Sequence, residues 1–155
     1  MRKVSKVIIH CSATPPTMAI DAETVRGWHV DGNGWKDIGY HFFIKRDGTI
    51  EVGRDIKISG AHTKGQNKGS IGICYAGGVA ADRKTPEDNR TEQQKEALTL
   101  LCKALSEVFP KATFHGHNEF AAKACPSFDV AEEKYGTFCM RSPEKLIEVI
   151  KSLCE

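Results

Sequence analysis

The sequence predicts an α/β protein of mixed α+β type, with a single central mixed β-sheet flanked by helices. Three observations carry that reading. Residues 4–10 (VSKVIIH) form a β-branched run suited to a buried strand. Residues 39–45 (GYHFFIK) and 49–53 (TIEVG) flank a turn at Asp47-Gly48, a hairpin pattern that places antiparallel pairing in the sheet. Residues 91–109 carry a helical period behind a capping signal.

Taken in order, the strand at 4–10 is followed by a loop over 11–20 with Pro15 and Pro16. Asp21 caps a predicted helix over 21–31, with Val25 and Trp28 on one face, and Gly32 and Gly34 end it. After the hairpin, residues 70–76 (SIGICYA) read as a further apolar strand and 77–90 as a polar surface loop. Thr91-Glu92-Gln93-Gln94 opens the long helix. Leu98, Leu101, Cys102, Leu105, Val108 and Phe109 follow its period, and Pro110 stops it. Residues 112–116 are a short strand, followed by a loop through Pro126. A last helix starts at Ser142 and Pro143, with Leu146, Ile147, Ile150 and Leu153 as its buried stripe.

Length and composition bound what the chain can be. Its 155 residues fit one domain, 1–155. With 40% hydrophobic and 27% charged residues, the composition is globular rather than disordered. The longest aliphatic run, Val7-Ile8-Ile9, is far short of the ~18 residues of a membrane span, so no membrane insertion is expected. Arg2, Lys3 and Lys6 precede no apolar stretch, so no signal peptide is read and cytoplasmic synthesis is expected. Net charge is +2. Residues 1–80 hold 11 basic against 7 acidic side chains and residues 81–155 hold 11 against 13, with no basic run. Nucleic acid is therefore not an expected ligand. No CxxC occurs among the six cysteines, which are expected to be reduced; Cys139 and Cys154 are the first suspects for any disulfide.

Six histidines invite a search for a metal site. His10 ends the first strand, His117 ends the last, and Cys125 lies eight residues beyond in a loop closed by Pro126. Two strand ends and a loop can assemble a three-ligand site that leaves a fourth position for water. By spacing alone, His-x7-Cys is no regular metal motif, and a histidine at a strand end is more often simply hydrogen-bonded.

Four segments carry more: IIHCSAT (8–14), IGYHFFIKRDGTIEVGR (38–54), GAHTKGQNKGSIGIC (60–74) and GHNEFAAKACPSFDV (116–130). In this order and spacing, over about residues 6–130, the chain resembles the type 2 amidase family. These are zinc N-acetylmuramoyl-L-alanine amidases, including the phage amidase-type lysozymes, on the peptidoglycan recognition protein fold. Residues 131–155, the C-terminal helical segment, match less clearly. The resemblance implies one Zn2+ per chain held by His10, His117 (not His115) and Cys125, with Tyr40 and Lys123 catalytic and His62 and Asn67 lining the substrate groove. Where the phage pattern has a second histidine after its second ligand, this chain has Asn118.

The implied activity is hydrolysis of the amide joining N-acetylmuramic acid to L-alanine in bacterial peptidoglycan. Zinc acidifies water towards pKa ~7, and zinc and Lys123 stabilise charge on the carbonyl oxygen. Tyr40 orients the water or relays a proton. The expected setting is a monomeric phage endolysin, made in the cytoplasm and acting on the cell wall after release. Two alternatives stay open: a non-catalytic peptidoglycan-binding module, against which Cys125 and Tyr40 argue, and a cytoplasmic cell-wall recycling amidase. Some phage relatives also bind an RNA polymerase, and nothing here identifies such a surface. Outside the set, Cys11 is expected in the core, Trp28 and Trp35 as packing and loop anchors, and His29 and His41 as structural, the groove edge being the alternative for His41.

Overall fold

A computed structural model describes residues 1–155. The strands are β1 (Lys6–Cys11), β2 (Phe42–Ile44), β3 (Ile50–Val52), β4 (Ser70–Tyr75) and β5 (Thr113–Gly116). They form one sheet in the order β3-β2-β4-β1-β5. β1 runs parallel to β4 and β5, and β2 parallel to β4; only the β2–β3 hairpin is antiparallel. The central sheet is thus mixed, as the hairpin pattern required. Its apolar central strands are covered on both faces, which is why β1 and β4 read as near-continuous hydrophobic runs. Gly48, at φ +87°, makes the hairpin turn, and Asp47 Oδ1 accepts from Thr49 N.

Side-chain alternation divides the sheet. Val7, Ile9, Phe42, Ile44, Ile71, Ile73 and Tyr75 face a large core with Leu98, Leu101 and Leu105 of α2 (Glu92–Val108). Each fully buried leucine there contributes about 1.5–3 kcal/mol. The intervening Phe43 and Cys74 face a smaller cluster with Ala22 and Val25 of α1 (Ala22–Gly27).

The capping box stands as predicted: Thr91 Oγ1 accepts from Gln94 N, and Gln94 Oε1 accepts from Thr91 N, both at 3.0 Å. Gln94 is fully buried, and its Nε2 donates to Ala76 O at 2.8 Å, tying the start of α2 to the end of β4. No helix is long and apolar enough to cross a membrane. All six cysteines are free thiols.

Several local expectations are corrected. α1 keeps its Asp21 cap but ends at Gly27, and a wider π-type turn spans Trp28–Gly32. Val25 is buried, whereas Trp28 is 43% exposed, so the two do not share a buried face. A four-residue helix, α3 (Val130–Glu133), capped by Asp129, is too short to show a period in sequence. The last helix, α4 (Glu144–Cys154), has Pro143 at its N-cap with no side-chain cap from Ser142. Ile150 alone of its stripe is fully buried; Leu146, Ile147 and Leu153 are half-buried against the large core.

Candidate active site

His10 is the next-to-last residue of β1, and alternation turns it away from the large core. It is buried, so it projects from the face of the sheet rather than from its edge. His117 follows directly on β5, in a 3₁₀ turn over His117–Glu119. Cys125 arrives on a loop fastened at several points. Asn118 N donates to Cys125 O at 2.8 Å, Tyr75 Oη to Pro126 O at 2.6 Å, and Ser127 Oγ to Gly78 O at 2.7 Å. Asn118 also places Nδ2 3.5 Å from Phe128 O, so it ties the two loop segments together. Below that loop, the Arg90 guanidinium lies 3.4 Å from the Phe128 ring centroid. It also pairs with Asp88 at 2.8 Å and Glu133 at 2.9 Å.

The ligand-capable atoms of His10, His117 and Cys125 all lie within 4.8 Å of one another, and no carboxylate belongs to the cluster. His115 points elsewhere, with Thr113 Oγ1 at 2.7 Å and Glu119 Oε1 at 3.0 Å. Burial, with His62, His117 and Lys123 nearby, holds His10 well below the usual imidazole range. Burial, then Lys123, lowers His117. Both rings are therefore neutral and offer lone pairs at pH 7. The Cys125 thiol is pushed up by the neighbouring Cys11 thiol and by burial. A cation among the three groups reverses that direction, because it favours the thiolate. Cys11 N donates to Cys125 Sγ at 3.2 Å, which also favours it. Two neutral imidazoles and one thiolate form a donor set that suits zinc rather than magnesium or calcium. Cys11 itself is buried in the large core, as expected.

Tyr40 packs beside this cluster, its ring centroid 5.1 Å from that of His10. Burial, with Cys74 nearby, raises its phenol well above the usual range, so it keeps its proton. An open cleft of about 500 Å³ borders the site at His117. His62, Thr63, Lys64 and Asn67 line it, as do His117, Phe120 and Lys123. Lys123 is exposed at the rim.

His62 and Asn67 border the cleft, yet their polar atoms turn inward. Asn67 Oδ1 accepts from the backbone N–H of His62 at 2.8 Å and of Thr63 at 2.9 Å. His62 Nδ1 lies 2.9 Å from His10 Nε2. Trp35, read from sequence as a packing anchor, is 39% exposed, lines the cleft and leans on His29 at 4.7 Å between centroids. His29 is structural: its Nδ1 accepts from Gly39 N at 2.9 Å. His41 is fully buried and does not edge the groove; its Nδ1 accepts from Gly72 N at 3.0 Å. Sequence reasoning missed Thr63 and Ser70 altogether, since buried hydroxyls in a loop and at a strand start carry no pattern of their own.

The family profile described as N-acetylmuramoyl-L-alanine amidase matches residues 1–128. The chain belongs to that family. Its activity is that of an N-acetylmuramoyl-L-alanine amidase, a hydrolase of the phage peptidoglycan-degrading type. It is 45% identical over 129 residues to the endolysin of Enterobacteria phage K11, covering 83% of this chain and 84% of that one. It is 44% identical over 124 residues to the endolysin of Escherichia phage T7, covering 80% and 81%. Among solved structures, the N-acetylmuramoyl-L-alanine amidase LysC from Clostridium intestinale URNW superposes with a TM-score of 0.74 at 27% identity. That match covers 86% of this amidase and 84% of LysC.

Proposed function

We propose that this amidase is a zinc endolysin whose metal is held by His10, His117 and Cys125, and that its single domain cuts peptidoglycan at the N-acetylmuramic acid–L-alanine amide. The observation that carries the reading is the convergence of two neutral imidazoles and a thiol beside a cleft that His117 lines. When bound, zinc supplies Lewis acidity and acidifies water for attack at neutral pH.

The chain's own side chains do the rest. The Lys123 ammonium at the rim offers positive charge to the carbonyl oxygen as it becomes anionic. The Tyr40 hydroxyl, beside His10 and still protonated, orients the attacking water and passes a proton towards the departing nitrogen. Water's oxygen is added to the lactyl carbonyl, the C–N bond breaks, and its protons end on the alanine nitrogen. Trp35 and Phe120 give the cleft apolar lining, and Lys64 adds a cation for an acidic peptide stem. The proposed setting is a monomer that acts on the cell wall after release.

Mass spectrometry of digested peptidoglycan tests the reaction. Released peptides with free L-alanine amino termini are expected. New reducing sugar ends would instead mark a glycosidase. Elemental analysis should find about one zinc per chain.

A further inference from the structure

Every recorded polar contact of the His10 ring is on Nε2: His62 Nδ1 at 2.9 Å and Thr63 Oγ1 at 3.2 Å. The other nitrogen of His62, Nε2, lies 3.2 Å from Ser70 Oγ. His10, His62 and Ser70 thus form a chain of three groups that ends on a buried strand hydroxyl. A neutral His62 ring carries one N–H and one lone pair.

Two proton arrangements fit such a chain, and they exclude each other. In one, His62 holds its proton on Nε2 and donates to Ser70 Oγ. Its Nδ1 then accepts from His10 Nε2–H, and His10 Nδ1 carries a free lone pair. In the other, His62 holds its proton on Nδ1 and donates to His10 Nε2. That engages the only lone pair of a neutral His10, which can then ligate nothing. A metal-bound His10 must keep its proton on Nε2, and of the two acceptors in reach His62 Nδ1 at 2.9 Å is nearer than Thr63 Oγ1 at 3.2 Å, which favours the first arrangement.

We propose that His62 is a positioning residue: its Nδ1 accepts the Nε2–H of His10, which fixes the tautomer and ring angle that turn His10 Nδ1 to the metal. This rests on the reading of His10 as a zinc ligand. A metal-bound histidine commonly donates its second nitrogen to such a partner.

The surroundings are built to hold the His62 ring still. A Cβ at Gly72, on β4, would lie 2.6 Å from His62 Cδ2, and one at Gly60 would meet the same atom at 2.6 Å. The ring is thus seated between two backbones that have no side chain there. Its own backbone is held by Asn67 Oδ1. A residue that only lined a groove would need neither restraint. The choice of acceptor has a chemical consequence. The Cys125 thiolate already cancels one of zinc's two charges, and a neutral imidazole partner cancels none, so more Lewis acidity is retained than a carboxylate partner would leave.

The test compares zinc-loaded wild type with His62→Leu, which keeps bulk without an acceptor, and His62→Asn, whose Oδ1 stands near the place of Nδ1. Zinc affinity is read by competition with a chromophoric chelator, and the exchange of the His10 Nε2–H with solvent by NMR. His62→Leu should bind zinc roughly 10–100-fold more weakly, and the His10 proton should be lost to exchange. His62→Asn should restore slow exchange and most of the affinity, which a purely structural role for the ring does not predict. If His62→Leu fails to fold, Ser70→Ala decides, because it removes the far acceptor and leaves the ring; weaker zinc binding and faster exchange are expected. Wild-type affinity with a slowly exchanging His10 proton in His62→Leu, or in Ser70→Ala where His62→Leu does not fold, overturns the inference. Wild-type protein that binds no zinc overturns the functional reading instead.

Discussion

On one face of the sheet, Val7, Ile9, Ile71 and Ile73 meet the leucines of α2; on the other, their neighbours His10 and Gly72 meet His62. The same strands build both faces, one residue out of step. The first is apolar throughout and its contacts are interchangeable in kind. The second mixes a small apolar cluster with His10, His29, His41 and His62, each with at least one ring nitrogen hydrogen-bonded. The difference shows how a small domain keeps stability and chemistry apart: alternate positions of one strand serve each, so either can be perturbed with little effect on the other.

The largest expected effect is on the chemical face. Cys125→Ala should leave little zinc on the protein by elemental analysis and abolish peptidoglycan hydrolysis, while the zinc-free chains of variant and wild type melt alike. Retained zinc would remove Cys125 from the site. Next come Tyr40→Phe and Lys123→Ala, each expected to lower turnover by roughly 10²–10³-fold with zinc content unchanged. Wild-type hydrolysis by Lys123→Ala would make that lysine a solvated rim residue.

Leu101→Ala inverts the pattern on the apolar face. It should cost about 2–5 kcal/mol of stability in denaturant melts, with zinc content and turnover per folded molecule preserved. A turnover loss matching that of Tyr40→Phe would show the two faces to be coupled.

The smallest effect expected is electrostatic. The side-chain bond from Arg90 holds the Asp88 carboxyl below its usual value. A carboxyl lowered by folding stabilises the fold above its unfolded value, near pH 4, and loses that contribution as pH falls through the folded value. The pair is partly exposed, so the gain is about 1 kcal/mol or less. Melts of wild type against Asp88→Asn should therefore differ at neutral pH and converge in acid. A gap independent of pH would mean that Asp88 acts through packing alone.

Signals that depend on neighbours along the chain were legible. The β1 run, the Asp47-Gly48 turn and the Thr91–Gln94 box each rest on contacts within a few residues, and each stands within a residue or two of its expected place. The order and spacing of the four matched segments pointed to His10, His117 and Cys125, whose ligand-capable atoms the fold brings within 4.8 Å of one another. Legibility ended where a side chain's surroundings come from distant segments. Trp28 shares a helical face with Val25 in any periodic reading, but only packing shows that no other element covers it. Trp35 became part of the cleft because the Ala61–Asn67 loop stands beside it.

The sequence by itself determined the mixed sheet, its flanking helices and the amidase family, because strand alternation, helical period and capping are local physics and the motif set is long. Only the tertiary structure decided which nitrogen of each histidine is engaged. It tied Asn67, at the cleft edge, to the His62 backbone, set His62 against His10 from 52 positions away, and laid its ring on Gly72. A hydrogen bond needs its partner within about 3 Å at a defined angle, and only the folded backbone brings such distant residues to that separation.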